Sequence, residues 1–272
     1  MKTLSFSELE SWRTCRRKWS FSYEWEMEKP EKTVQLASGS AVHKTIQDVL
    51  SGEVPFDGRE GYVEHCLTQI LIHREDWRDQ VSKYLPGALR ALSKVPDWVW
   101  VNDWKVEERL EVEIAEGVTL KFVPDLYAIT KEVTKHPVTD EDIVVYWLDI
   151  YDFKTGKKDP LEYYLNSPQL SYYAVALKKL FPYAHPRICY VGLPTQGSSG
   201  AEVSPWVLTD IQLQEAEEEL VSGIREVGEG DRWANRSTLC GWCDFNRVCT
   251  TKFMGGNWKD VLMSEYTKRV RV

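Results

Sequence analysis

The run Ile143-Val144-Val145-Tyr146-Trp147-Leu148-Asp149-Ile150-Tyr151-Asp152-Phe153-Lys154 restricts the fold of this chain more than any other segment. β-Branched and aromatic residues dominate it, it is too short for the roughly 18 apolar residues of a membrane helix, and Thr155-Gly156 closes it. It reads as a central strand. A chain of 272 residues with 43% apolar content can bury a large core around such a strand, as one elaborated domain or two small ones.

Helical and strand periods alternate on either side of this run. Two overlapping capping boxes, Ser5 with Glu8 and Ser7 with Glu10, precede a pattern carrying Leu9, Trp12, Cys15 and Trp19, which predicts a helix over 7–23. Gly39 precedes a second helical pattern in which His43, Ile46, Gln47 and Leu50 share a face, and 60–95 also reads as helical, ending near Pro96. At Val106 the period becomes two. Glu108, Leu110, Val112 and Ile114 mark one strand face, and Glu107, Arg109, Glu111 and Glu113 mark the other. Ala115-Glu116-Gly117 turns the chain into a returning strand over 119–129, interrupted at Pro124 directly before Asp125. After the central strand, Ser167 as N-cap with Pro168 at the first helical position opens a helix through Leu180, and 187–193 supplies another strand. A Gly/Ser-rich loop at 196–200 leads to a short strand, and Asp210 caps an acidic helix reaching Val227.

Charge and leader signals narrow the function. Lys plus Arg total 34 against 42 Asp plus Glu, net −8, so no blanket attraction to nucleic acid or anionic membrane is expected, and any polyanion must be held by local patches. The N-terminus, MKTLSFSELESW, carries acids where a signal peptide needs an apolar stretch, and no apolar run is long enough to span a bilayer. The expectation is a cytoplasmic protein without membrane contact. Six cysteines are too few for a disulfide scaffold in a chain of this length, and their clustering points to ligation or redox chemistry in a reducing compartment. The 12 tryptophans are read as packing residues and possible base-stacking surfaces.

Asp152 and Lys154 alternate with Phe153, so their side chains leave the same strand face about 6.5–7 Å apart. With Asp125 on the neighbouring strand, this arrangement suits phosphodiester hydrolysis: two carboxylates can hold Mg²⁺ or Mn²⁺, and the ammonium can position water or stabilise developing charge. A D-x-K triplet is common and, taken alone, reads first as a solvated strand end. His43 alone reads as a core histidine, and Gln169 with Tyr173, at i and i+4, as an ordinary helix face.

Taken in order, Gly39-x-x-x-His43, Val123-Pro124-Asp125, Asp152-Phe153-Lys154-Thr155-Gly156 and Gln169-x-x-x-Tyr173 resemble the RecB-like branch of the PD-(D/E)XK nuclease superfamily. The resemblance implies an α/β fold with the αβββαβ core and mixed sheet of the restriction-endonuclease type over 38–193, with a helical insertion at 51–104. It implies His43, Asp125, Asp152 and the Phe153 carbonyl as ligands for Mg²⁺ or Mn²⁺, Lys154 as the catalytic lysine, and Gln169 and Tyr173 lining the site. The activity it implies is a DNA exonuclease of recombination, repair or phage DNA processing. The motif before Asp125 departs from relatives, with Val-Pro in place of a glycine-containing version.

Cys240, Cys243 and Cys249 form a C-x2-C-x5-C run that needs a fourth soft ligand, for which Cys15 is the candidate. Spacing alone leaves zinc and an iron–sulfur cluster open. The split between one N-terminal and three C-terminal cysteines resembles the 4Fe-4S staple of AddB-type and CRISPR-associated RecB-like nucleases, which implies a cap built from 1–37 and 230–255. Cys189 reads as a buried strand residue and Cys66 as part of a helix face.

Local positive charge gathers at Arg13, Arg16, Arg17 and Lys18, at Lys154, Lys157 and Lys158, at Arg247, and at Lys268, Arg269 and Arg271. Such runs usually solvate a surface, but nearness to the two proposed sites makes Arg16, Arg17, Lys157 and Lys158 the candidate DNA contacts. The expected partner is DNA, as single strands or ends. No helicase P-loop occurs in the chain, so any unwinding falls to a helicase or recombination partner. The reading is therefore one nuclease domain over 1–272. The alternative is a non-catalytic DNA-binding or assembly subunit that keeps fold and cluster; a redox protein ranks last, for want of any flavin or nicotinamide fingerprint.

Overall fold

The computed structural model describes residues 2–30, 34–136, 138–156, 167–197 and 201–269. The chain opens with strand β1 (Lys2–Ser5), helices α1 (Phe6–Thr14) and α2 (Arg16–Trp19), a π-helical turn (Ser20–Glu24) and strand β2 (Met27–Glu28). Helices α3 (Val34–Leu50), α4 (Arg59–Leu71), α5 (Trp77–Ser93) and α6 (Asp97–Val101) follow. Strands β3 (Lys105–Val106), β4 (Leu110–Ala115), β5 (Val118–Phe122), β6 (Leu126–Lys135) and β7 (Asp142–Gly156) precede helix α7 (Gln169–Leu180). Strands β8 (His185–Pro194) and β9 (Glu202–Val207), helices α8 (Asp210–Glu226), α9 (Asn246–Phe253) and α10 (Trp258–Glu265), and strand β10 (Thr267–Lys268) complete it.

β7 is the centre of a five-stranded mixed sheet ordered β3-β6-β7-β8-β9, antiparallel to β6 and parallel to β8. Its side chains alternate between two cores, as strand geometry requires. Leu148 and Ile150 pack toward α7, α8, α1 and a second sheet, β1-β5-β4, while Phe153 packs with Cys189 and Val191 toward α3–α6. Leu148, Ile150 and Leu170 are fully buried, each worth about 1.5–3 kcal/mol. A third core joins the two ends of the chain, with Phe21 and Met27 against Phe245, Val248, Leu262 and Tyr266. Among the described residues no helix is long and apolar enough to cross a membrane.

Several sequence expectations shift. The helix over 7–23 breaks at Cys15, which is extended (φ −163°, ψ 109°), and the effective N-cap is Ser5, accepting from Glu8 N–H at 3.2 Å. Gly39 lies inside α3 rather than ahead of it. A Cβ there would sit 2.5 Å from Thr155 Oγ1, so glycine lets α3 cross the end of β7 at close range. The helical stretch 60–95 is two helices, α4 and α5. The strand expected from Val106 is split: β3 joins the five-stranded sheet and β4 the other, with Glu107 between them at φ +47°. The strand expected over 119–129 is likewise two strands in two sheets, the chain crossing between them at Pro124-Asp125. Helix α7 begins at Gln169, with Pro168 as its flanking cap residue, and α8 is capped by a Thr209–Gln212 capping box rather than by Asp210. β1, which pairs in parallel with β5, had no counterpart in the sequence reading.

Candidate active site

The end of β7 is where the expected site residues meet. Register pairs Leu126 with Tyr151, so Asp125, one residue before β6, falls beside Asp152-Phe153, and its Oδ2 accepts the Phe153 N–H at 2.6 Å. Asp152 and Lys154 leave the α7 face of the strand. Gln169 Nε2 donates to Asp152 Oδ1 at 3.1 Å and contacts the Tyr173 hydroxyl at 3.3 Å, while Lys154 Nζ donates to Gln169 Oε1 at 3.4 Å. The first turn of α7 thus holds the polar groups at the end of β7 in place. From the opposite face α3 brings His43, one turn beyond Gly39, to 3.6 Å from Asp125 Oδ2, its ring edge-on to Phe153.

Asp152 is 3% exposed. Its Oδ2 faces the Lys154 ammonium at 2.6 Å but accepts no hydrogen bond of regular geometry among the described residues. Burial, then the charge of Asp125, pushes its carboxyl up to about 7, against the pull of Lys154 and His43. Burial pushes the His43 imidazolium down, but the surrounding carboxylates, Asp125 foremost, outweigh it and its pKa is raised. Burial also raises the Tyr173 hydroxyl, whose ring packs on Phe122 at 5.0 Å.

Sequence reasoning missed one member. Glu107, His43 and Asp125 each offer a ligand atom, and the three atoms lie within 4.8 Å of one another. The alternating pattern had placed Glu107 on an outward strand face; the positive φ ends that strand, and the Glu107 N–H bonds the Asp125 carbonyl at 3.1 Å, turning its carboxylate inward. Burial and then Asp125 raise its pKa. A glutamate at a left-handed backbone position leaves no periodic signal, so only the split of the strand between two sheets reveals it. His43, Lys44, Gln47, Glu107, Phe153 and Lys154 line an open cavity of about 630 Å³. Carboxylate oxygens with one imidazole form a hard donor set, and the under-bonded Asp152 oxygen has capacity to spare, so these residues fit a divalent cation of the Mg²⁺ or Mn²⁺ kind.

The four cysteines also meet. Cys15, Cys240, Cys243 and Cys249 line one cavity of about 290 Å³ with Arg17, Phe21 and Phe245. Donors point at the sulfurs: Asn235 N–H to Cys15 at 3.4 Å, Ser237 N–H to Cys240 at 3.4 Å and the Arg17 guanidinium to Cys249 at 3.7 Å. No three of these sulfurs lie within 4.8 Å of one another, since the His43–Glu107–Asp125 trio is the one such group among the described residues. Cys66 and Cys189 are buried elsewhere, on α4 and β8.

Of the candidate DNA contacts, Arg16 stacks on the Trp12 ring at 4.8 Å, and Arg17 is engaged with Cys249 and the Arg232 carbonyl. Lys157 and Lys158 lie outside the described residues, as does Arg271.

The sequence matches the PD-(D/E)XK nuclease superfamily over residues 3–250, and the chain belongs to that superfamily. Among solved structures it is similar to the crystal structure described as a "Putative exonuclease" from Eubacterium rectale, with TM-score 0.55 and 15% identity over 90% of this chain and 88% of that one, a likeness of fold. A structure described as SSO0001 aligns over 92% of this chain and 87% of its own at 12% identity, but its TM-score of 0.33 is too low to bear on the fold. No curated protein matches the sequence.

Proposed function

We propose that the protein is a metal-dependent deoxyribonuclease of the RecB-like kind, acting on DNA strands from their ends. The observation that carries this reading is the convergence of Asp125, Asp152 and Lys154 at one strand end, with His43 and Glu107 facing them from the other side. Asp125, Asp152, His43, Glu107 and the Phe153 carbonyl would hold the cation. When bound, that cation would neutralise the scissile phosphate and lower the pKa of water at the site. The chain's own part is positioning. Lys154, kept between Asp152 and Gln169, points an ammonium at the reacting phosphate or the attacking water. Gln169, braced by Tyr173, keeps Asp152 and Lys154 in register, and Asp125 is locked by the Phe153 N–H.

The four-cysteine pocket is read as the seat of a structural 4Fe-4S cluster that ties the chain ends together, within one nuclease domain over 1–272. Support comes from the convergence of Cys15, Cys240, Cys243 and Cys249, from the two ends of the chain, on one cavity of about 290 Å³. A single sample tests both sites. Anaerobically purified protein should release nucleotides from end-labelled single- or double-stranded DNA with Mn²⁺ or Mg²⁺ and none in EDTA, and should absorb near roughly 400 nm. Unchanged cleavage by both Asp152→Ala and Lys154→Ala would remove the catalytic assignment, and a colourless protein lacking iron would remove the cluster.

A further inference from the structure

Beside the catalytic cavity lies a second groove of about 550 Å³, between α5, the start of α3 and the ends of β7 and β8. Gly39 and Thr155 line both, so the two lie side by side across the contact that these residues make where α3 crosses the end of β7. In a chain with more acids than bases, the groove wall carries Lys83 and Arg90 and, among the described residues, no carboxylate. Neither cation forms an ion pair among the described residues; Lys83 lies over the Tyr84 ring at 5.3 Å, and Arg90 reaches the Gly197 carbonyl at 3.0 Å. Ser38, also in the wall, is 6% exposed, and its hydroxyl has no hydrogen-bond partner among the described residues. Buried hydroxyls are normally bonded, so one without a partner among the described residues, beside two cations that form no ion pair among them, points to an anionic oxygen that completes the set.

We propose that this groove is the subsite for the nucleic-acid strand next to the scissile phosphate. Lys83 and Arg90 hold backbone phosphates, Ser38 donates to a phosphate oxygen after rotation of its one torsion, and Tyr84 offers a ring for an unstacked base. This rests on the nuclease reading and deepens it, because it gives the strand a route: across α5, past Thr155, into the site. The size and the single ring suit one strand rather than a duplex. Of the basic groups that the sequence points to, Arg17 lines the cysteine pocket and Arg16 lies over the Trp12 ring, neither of them in this groove, and Lys157 and Lys158 lie outside the described residues.

The test is binding, kept separate from cleavage. A fluorescein-labelled single-stranded 12-mer is titrated by anisotropy in EDTA at several salt concentrations, with unmodified protein, Lys83→Ala/Arg90→Ala, Ser38→Ala, and Lys131→Ala/Lys135→Ala as a charge-matched control on the far end of the β6/β7 hairpin. The expected result is at least tenfold weaker binding by the Lys83/Arg90 variant, with the log–log salt slope shallower by about 1.4, and near-normal binding by the control. Ser38→Ala should bind a few-fold more weakly while melting no lower, since it removes an unbonded hydroxyl. Equal loss in groove and control variants, an unchanged slope in the Lys83/Arg90 variant, or no strand binding by the unmodified protein overturns the proposal. If the groove variants lose binding as expected but the unmodified protein never cleaves with Mn²⁺, the groove stands and the nuclease reading fails.

Discussion

Asp149 and Asp152 stand three residues apart on β7 and are 1% and 3% exposed, yet their surroundings differ in kind. Asp149 is fully provided for: Arg187 donates Nε to Oδ1 at 2.5 Å and a terminal nitrogen to Oδ2 at 3.1 Å, and Thr130 adds a hydroxyl at 2.6 Å. Asp152 has one amide on Oδ1, a lysine close to Oδ2 without a regular hydrogen bond, and the negative charge of Asp125 beside it. A buried carboxylate with a complete donor set is part of the scaffold. One with an incomplete set and a like-charged neighbour favours a proton or a cation, which is what a metal site requires.

The largest effect expected from this contrast is on catalysis. Asp152→Asn should lower DNA cleavage by at least about 10³-fold, or about 4 kcal/mol, in a protein that still folds. Its stability should move the other way. Because the folded-state pKa of Asp152 is raised from 3.8 to about 7, the folded protein binds that proton more tightly than the unfolded chain does, so ionising it costs stability progressively between about pH 4 and pH 7 and fully above. Metal-free Asp152→Asn should therefore melt higher than the parent at pH 8, by an upper bound of about 4 kcal/mol, with the gap closing near pH 4. A lower melting point at pH 8 would place Asp152 with Asp149 as a scaffold carboxylate.

Arg187→Leu is the opposite case. It strands a buried charge and should cost about 3–5 kcal/mol in urea unfolding, while activity per folded molecule is retained. A cost under about 1 kcal/mol would erase the contrast. Metal linkage sharpens it further: Mn²⁺ competes with the proton on Asp152, so the rise in melting temperature at a fixed Mn²⁺ concentration should be larger at pH 8 than at pH 5.5 and should vanish in Asp152→Asn. The smallest effects belong to Glu107. Glu107→Gln and Glu107→Gly should each weaken Mn²⁺ affinity several-fold by calorimetry. Only the glycine should relieve the left-handed backbone, making the metal-free protein more stable than the glutamine variant by about 0.5–1 kcal/mol. Equal stability of the two would show that φ +47° carries no cost here.

Legibility followed the range of the signal. β7, the shared face of Asp152 and Lys154, the i, i+4 pair on α7 and the face of α3 carrying His43 all follow from periods of two and 3.6, which are read within a few residues. The break at Cys15, the division of two expected strands between two sheets, and the parallel pairing of β1 with β5 depend on partners far away in sequence. Glu107 shows the consequence most clearly, since a one-residue change of backbone region reversed the face inferred for its side chain.

By itself the sequence determined the kind of chemistry available: which side chains are candidates to carry it, their order, and the strand and helices on which they ride. Tertiary structure decided which of those groups are charged against their preference, which find a full set of donors, and which basic groups line the groove beside them. The physical reason is that residue type and local period are properties of a few neighbouring positions. Desolvation, ion pairing and the shape of a groove arise only when distant segments pack together.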